Sequence, residues 1–257
     1  MTLQHMYETL GRLEASIAVA SYRKSVNYWE IPQFVDHPSI DVENLYHPLI
    51  EEPVANTVMF GRSVMITGSN ASGKSTFVKA LAINGILSQS IHTVLATKFA
   101  APLSYYISSM AISDNVMTAE SYYIAEIRSL KRMIDTINQY PFCICFIDEI
   151  LKGTNTIERI AASASILNYL SELNCLCLVA SHDIELTQML HNGYDNYYFC
   201  ETINTDKIYF DYKIHKGVST TRNAIKLLEI MGYDKHIVTH ANHLASHFSN
   251  DHKWLEL

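Results

Sequence analysis

The sequence predicts an α/β protein whose largely parallel sheet is preceded by a long N-terminal helix. Three observations carry this. From residue 57 onward, short apolar runs alternate with segments of helical period, the pattern of strands joined by crossover helices. A glycine-rich loop lies between one such run and one such helix. Near the start, Leu3, Met6, Leu10, Leu13, Ile17 and Ala20 recur at spacings of three and four. That is a single apolar seam of coiled-coil type.

The helix over residues 2–28 has two readings. It continues from, or packs against, something outside the chain, which makes this the C-terminal part of a longer protein; or it packs on its own domain. Pro32, Pro38, Pro48 and Pro53 break the next stretch into loops and short edge strands. Residues 29–56 thus form an irregular lead into the main domain, 57–257. There, strands are predicted over 62–67, 92–97, 104–108, 142–148 and 175–180. Helices are predicted over 74–87, 119–138 and 157–173. A hairpin follows from 196–201 and 207–214, then helices over 220–231 and 235–248.

The 257 residues are 48% hydrophobic and 18% charged. This excludes a disordered or collagen-like chain and allows one large domain with an appendage. The net charge of −7 argues against a stand-alone, nonspecific nucleic-acid binder, which needs a Lys/Arg surplus. No apolar run approaches the roughly 18 residues that span a bilayer, and no signal-peptide pattern opens the chain. Cys143, Cys145, Cys175, Cys177 and Cys200 are odd in number and clustered in apolar runs. They read as reduced thiols of a cytoplasmic protein.

Gly68, Ser69, Asn70, Ala71, Ser72, Gly73, Lys74 and Ser75 fit G-x-x-x-x-G-K-[ST] between a strand and a helix. Glycines let backbone N–H groups turn onto phosphates, and the helix start adds a positive dipole end. Lys74 supplies a point charge for the β- and γ-phosphates, and Ser75 a hydroxyl for Mg²⁺. The apolar run 142–147 ends in Asp148 and Glu149. Asp148 suits the metal, and Glu149 suits the orientation or deprotonation of an attacking water. His182, at the end of the next strand, can bond the γ-phosphate or that water.

These residues resemble the MutS mismatch-repair ATPase family. The run from Gly68 to Thr76 resembles its P-loop, and Asp148 to Thr156 its acidic strand end and D-loop. Ser121 to Ile127 looks like its signature helix, His47 to Ile50 its entry segment, and Gly217 to Ala224 its C-terminal motif. The resemblance covers residues 45–248 and is nearest the bacterial MutS-like proteins of unassigned role. It implies an ABC-type P-loop ATPase with a RecA-like parallel core sheet, helices on both faces and an antiparallel edge. It implies Mg²⁺ and ATP as cofactors, and a head-to-tail homodimer in the ATP state. Ser121 would reach the γ-phosphate in trans, and Asn155 and Thr156 would cross the dimer interface. Asp114 would hold Mg²⁺ through water, and Val54 and Tyr212 would flank the adenine. Residues 2–28 resemble the end of the MutS lever, so upstream domains and DNA are the implied partners. A nucleotide-gated DNA clamp without mismatch recognition is the alternative, as is the ATPase of a membrane-associated complex. An ABC transporter subunit is disfavoured, because the Leu-Ser-Gly-Gly-Gln signature is absent.

The chain departs from the family at three places. Ala119 stands where Gly is usual, Glu158-Arg159 where Asp-Gly often follows the D-loop, and Asp183 where an aromatic is common beside the histidine. Three further groupings read blandly. His236, His240, His243 and His247 line one helical face as a solvated or interface surface. The C-x-C pairs 143/145 and 175/177 read as small buried hydrophobes. The basic clusters Tyr22-Arg23-Lys24 and Lys131-Arg132 read as solvated faces.

Overall fold

The computed structural model describes residues 2–69, 71–110, 122–204, 207–219 and 224–251. In chain order the elements are α1 (Leu3–Ser25), β1 (Gln33–Phe34), β2 (Ile40–Leu45), β3 (Asn56–Phe60), β4 (Val64–Thr67), α2 (Lys74–Ile91), β5 (Lys98–Ala101) and β6 (Tyr105–Ser109). Then come α3 (Tyr122–Ile137), β7 (Cys143–Asp148), α4 (Thr156–Ser171), β8 (Cys175–Ala180), α5 (Ile184–Met189), β9 (Asp195–Tyr198), β10 (Glu201–Asn204), β11 (Lys207–Phe210), β12 (His215–Lys216), α6 (Ala224–Ile230) and α7 (Lys235–Asp251).

The main sheet has the order β12-β9-β4-β8-β7-β6. All its pairings are parallel except the edge strand β12, which runs antiparallel to β9. The α/β expectation of a parallel sheet with an antiparallel edge is met. Strands such as β7 are buried on both faces, which explains their continuous apolar runs. Ile144 and Phe146 face one core with Phe77, Val78 and Leu81 of α2. Cys143, Cys145 and Ile147 face the other, with Met133 of α3 and Leu167 of α4. Helices therefore cover both faces, with period-two alternation deciding which residue meets which helix.

A second sheet, β1-β5-β2-β3, was anticipated only as edge strands and irregular chain. Its Ile40, Val42 and Phe60 join the α2-side core. The strand expected over 92–97 is absent there. Val94 makes one isolated bridge to Glu30, and regular pairing begins at Lys98. The apolar run is buried instead against Asn84, whose side-chain oxygen accepts from Leu95 N at 2.5 Å and whose amide donates to Tyr46 O at 3.2 Å. Burial with only isolated backbone bonds looks like a strand to a pattern reading.

The expected hairpin is also shifted. Residues 195–198 extend the main sheet beside β4, and the hairpin is β10 with β11. The short helix α5 was not anticipated.

Helix α1 stops at Ser25 and has no buried residue. Its seam residues Leu3, Met6, Leu10, Leu13 and Ile17 are exposed, so the described residues leave that seam uncovered. It is tied down at its end by Arg23, expected on a solvated face. Arg23 donates to Thr93 Oγ1 at 2.9 Å and to His92 O at 2.9 Å, and stacks over Trp29.

Candidate functional site

β4, β7 and β8 are parallel neighbours, so their C-terminal ends open side by side, the crevice where open α/β sheets bind ligands. After β4 the chain turns sharply. Gly68 has φ 142°, and a Cβ there would lie 2.5 Å from Phe199 O. Only glycine fits that approach. Gly73, at φ 110°, precedes α2.

Lys74 is buried, and its Nζ donates to Gly68 O and Ser69 O, each at 2.7 Å. Burial lowers its pKa to about 8, against the pull of Glu149, Asp148 and Glu201. Ser75 Oγ donates to Asp148 Oδ1 at 2.8 Å. Hydroxyl and carboxylate oxygens side by side are the hard donors that a magnesium ion takes.

Glu149 sits just past β7 with a left-handed φ of 60°, a strained conformation for a non-glycine residue that costs about 1–3 kcal/mol. Its N–H donates to Ala180 O at 2.9 Å, fixing the carboxylate against the end of β8. Glu149 Oε1 lies 2.9 Å from His182 Nε2, and Oε2 lies 2.6 Å from Lys152 Nζ. Burial pushes the Glu149 carboxyl up, but Lys152, His182 and Lys74 outweigh it and hold it below its ordinary value. Burial, then Lys74, lowers His182, which keeps its ring neutral near pH 7.

Beside this cluster lies an apolar cavity of about 350 Å³. Val54, Tyr212, His47, Ile50, Phe77 and Phe199 wall it, and it reaches the loop at Gly73 and Thr76. Tyr212 also borders the smaller cleft of Lys74, Glu149 and His182. The two walls are clamped together by Asn56. Its amide donates to Val54 O and Tyr212 O, and its side-chain oxygen accepts from Ile214 N at 2.8 Å.

Residues 64–249 match the family model described as MutS domain V. The chain belongs to the MutS family. Domain V is the ATPase domain of MutS proteins, and MutS-family ATPase domains bind ATP with Mg²⁺. MutS proteins work as dimers and bind DNA. The matched segment holds every residue of the crevice from the phosphate loop to Tyr212; Val54, His47 and α1 precede it.

The structure thus brings together Ser69, Ala71, Ser72, Gly73, Lys74, Ser75, Thr76, Glu149 and His182 around one cleft, with Gly68 and Asp148 bonded to its members. Val54 and Tyr212 face one adjoining cavity. Asn155 and Thr156 stand apart from the cleft lining; Asn155 caps α4, its side chain accepting from Glu158 N at 3.0 Å. Asn70, Asp114 and Ser121 lie outside the described residues. Sequence reasoning missed Lys152, Asn56 and Glu201, which accepts from Ser69 Oγ at 2.7 Å. Lys152, three residues after Glu149, is the one with a legible signal, a cation within reach of the acid.

The remaining groupings resolve simply. Sγ atoms of Cys145, Cys175 and Cys177 lie within 4.8 Å of one another, and Cys145 and Cys177 are fully buried in the core with thiols pushed up. The His236 and His240 rings are 6.2 Å apart on α7. No helix of the described residues is long and apolar enough to cross a membrane.

Proposed function

We propose that this chain is a Mg-ATPase of the ABC-type P-loop class. Its ATP state is a head-to-tail dimer, and hydrolysis opens it. The observation that supports this most is one convergence. A buried lysine, a hydroxyl–carboxylate pair and a carboxylate–histidine pair meet in one cleft that continues into an apolar cavity.

In this reading Lys74 leaves its two carbonyls for the β- and γ-phosphates. Ser75 and Asp148 would hold Mg²⁺, which when bound would neutralise phosphate charge. Glu149, ionised at neutral pH, takes the proton of the attacking water, and neutral His182 orients the water or bonds the γ-phosphate. Tyr212 stacks on the base, and Val54 supplies an apolar wall. By the family resemblance, Asp114 would help hold Mg²⁺, and Ser121 would act from the partner together with the D-loop residues Asn155 and Thr156. Ile157, next to them, is 82% exposed, which suits a surface that meets a second copy.

The fold also supplies a mechanical path. Helix α2 begins at the phosphate loop and ends where Arg23 of α1 is bonded. Closure on ATP would therefore pull on α1 and on whatever module it carries. We assign that module to a DNA transaction of the family's kind.

Light scattering of Glu149→Gln with and without Mg-ATP tests the reading. Removing the base should trap a dimer only with ATP. A constant molar mass, with ATP bound, would remove the dimer sandwich. Absence of ATP binding would remove the nucleotide assignment itself.

A further inference from the structure

A second donor cluster is formed by residues close in the chain to Phe199 and Tyr212 of the apolar cavity. Cys200 follows β9, and Asp211 and His215 flank the loop that carries Tyr212. Cys200 Sγ, an Asp211 carboxylate oxygen and a His215 ring nitrogen all lie within 4.8 Å of one another. His215 Nε2 is 2.8 Å from Asp211 Oδ2. The other oxygen, Oδ1, accepts from Lys213 N at 3.0 Å, so the carboxylate is already oriented with Oδ2 toward the histidine. Such outer hydrogen bonds are what hold metal ligands in place. Cys200 is half-buried, and Asp211 is exposed, so an ion has a route in.

We propose that Cys200, Asp211 and His215 form a binding site for a divalent zinc-type cation that pins the Tyr212 loop. The donor set is one sulfur, one oxygen and one imidazole nitrogen, the mixture that borderline-soft Zn²⁺ takes, with a fourth position left for water. The charges balance. A dication meets one thiolate, one carboxylate and one neutral imidazole, giving a neutral site. On binding, the Cys200 S–H proton leaves to solvent while the Sγ–metal bond forms; no electron moves. Without a cation, burial and then the Asp211 and Glu201 carboxylates push the Cys200 thiol up. A dication placed there reverses the electrostatic part of that effect.

The consequence for the cleft is geometric. Tyr212 has a left-handed φ of 53° and is held from one side by Asn56. A cation on Asp211 and His215 would add a second hold on the same loop. This consequence, unlike the metal site itself, rests on reading the apolar cavity as the base pocket.

The full chain, stripped with a chelator, would be titrated with Co²⁺ and with Zn²⁺ in the absence of nucleotide. We expect one equivalent to bind, with a thiolate-to-cobalt charge-transfer band. Cys200→Ser should abolish the band, and His215→Ala should weaken binding at least about tenfold. Cys175→Ser should keep both, with circular dichroism confirming that each variant is folded. No stoichiometric binding, or binding lost in Cys175→Ser and kept in Cys200→Ser, would overturn the site. Mg-ATP affinity is then compared with and without Zn²⁺. A severalfold gain present in the parent and absent in Cys200→Ser supports the pinned loop. Metal binding with unchanged ATP affinity overturns the coupling alone. Metal binding with no ATP binding overturns the base-pocket reading and leaves the metal site standing.

Discussion

Arg159 and Asp183 are bound to each other through two hydrogen bonds, Nε to Oδ2 at 3.0 Å and Nη2 to Oδ1 at 2.6 Å. Each stands where the chain departs from the family resemblance, Arg159 after the D-loop and Asp183 beside His182. This part-buried fork joins α4 to the loop that holds the histidine, a geometry that favours Arg with carboxylate.

Asp183→Ala is expected to lower stability by about 1–3 kcal/mol and to reduce ATP turnover by loosening His182. Arg159→Ala should cost a similar amount. The double variant should cost less than the sum, because the second change removes no further bond. Urea unfolding of the four proteins measures the coupling. Additive losses would make the pair incidental.

Lys152 occupies one Glu149 oxygen and helps hold the carboxyl low. In the proposed function Glu149 acts as the base and works as a carboxylate, so activity is expected to fall as pH drops through its pKa. Lys152→Ala removes a cation that lowers that pKa. The acid limb of kcat/KM against pH should therefore move to higher pH, while the freed oxygen raises turnover at neutral pH. A limb that stays in place would take Lys152 out of the site's electrostatics.

Burial lowers the pKa of Lys74 to about 8, and the proposed phosphate contact needs its ammonium form. Mg-ATP affinity should fall by up to about tenfold per pH unit above this value. Lys74→Arg, which stays charged, should bind more weakly but with no such slope. Fluorescent-nucleotide titrations across pH 7 to 9.5, roughly the span of one linked proton, separate these outcomes.

Tyr212→Ala should weaken ATP about two- to tenfold, as expected for a lost aromatic stack, and leave inorganic tripolyphosphate unaffected. Equal losses for both ligands would place Tyr212 at the phosphates instead.

Gly68→Ala forces a Cβ against Phe199 O at a φ that L-residues avoid. Destabilisation of at least about 1–3 kcal/mol is expected, with loss of nucleotide binding. A normal melting temperature would mean that the loop has room to shift.

The sequence alone determined the α/β class, the parallel order of strand and helix, and the local phosphate motif. These depend on short-range facts, namely apolar period, glycine at a turn and a lysine at a helix start. The acids after β7 were legible because an apolar strand ends abruptly in charge. Other features needed the folded chain. Asn56 reaches the Tyr212 loop across 156 residues, and Arg159 reaches Asp183 across 24. No periodicity encodes which of many asparagines or arginines will meet a distant partner. The apolar run at 94–96 showed the converse, since burial and strand pairing leave the same mark on a sequence until the hydrogen bonds are known. Local propensity is written residue by residue, whereas pairing across the sheet is decided only when packing brings the donors within reach.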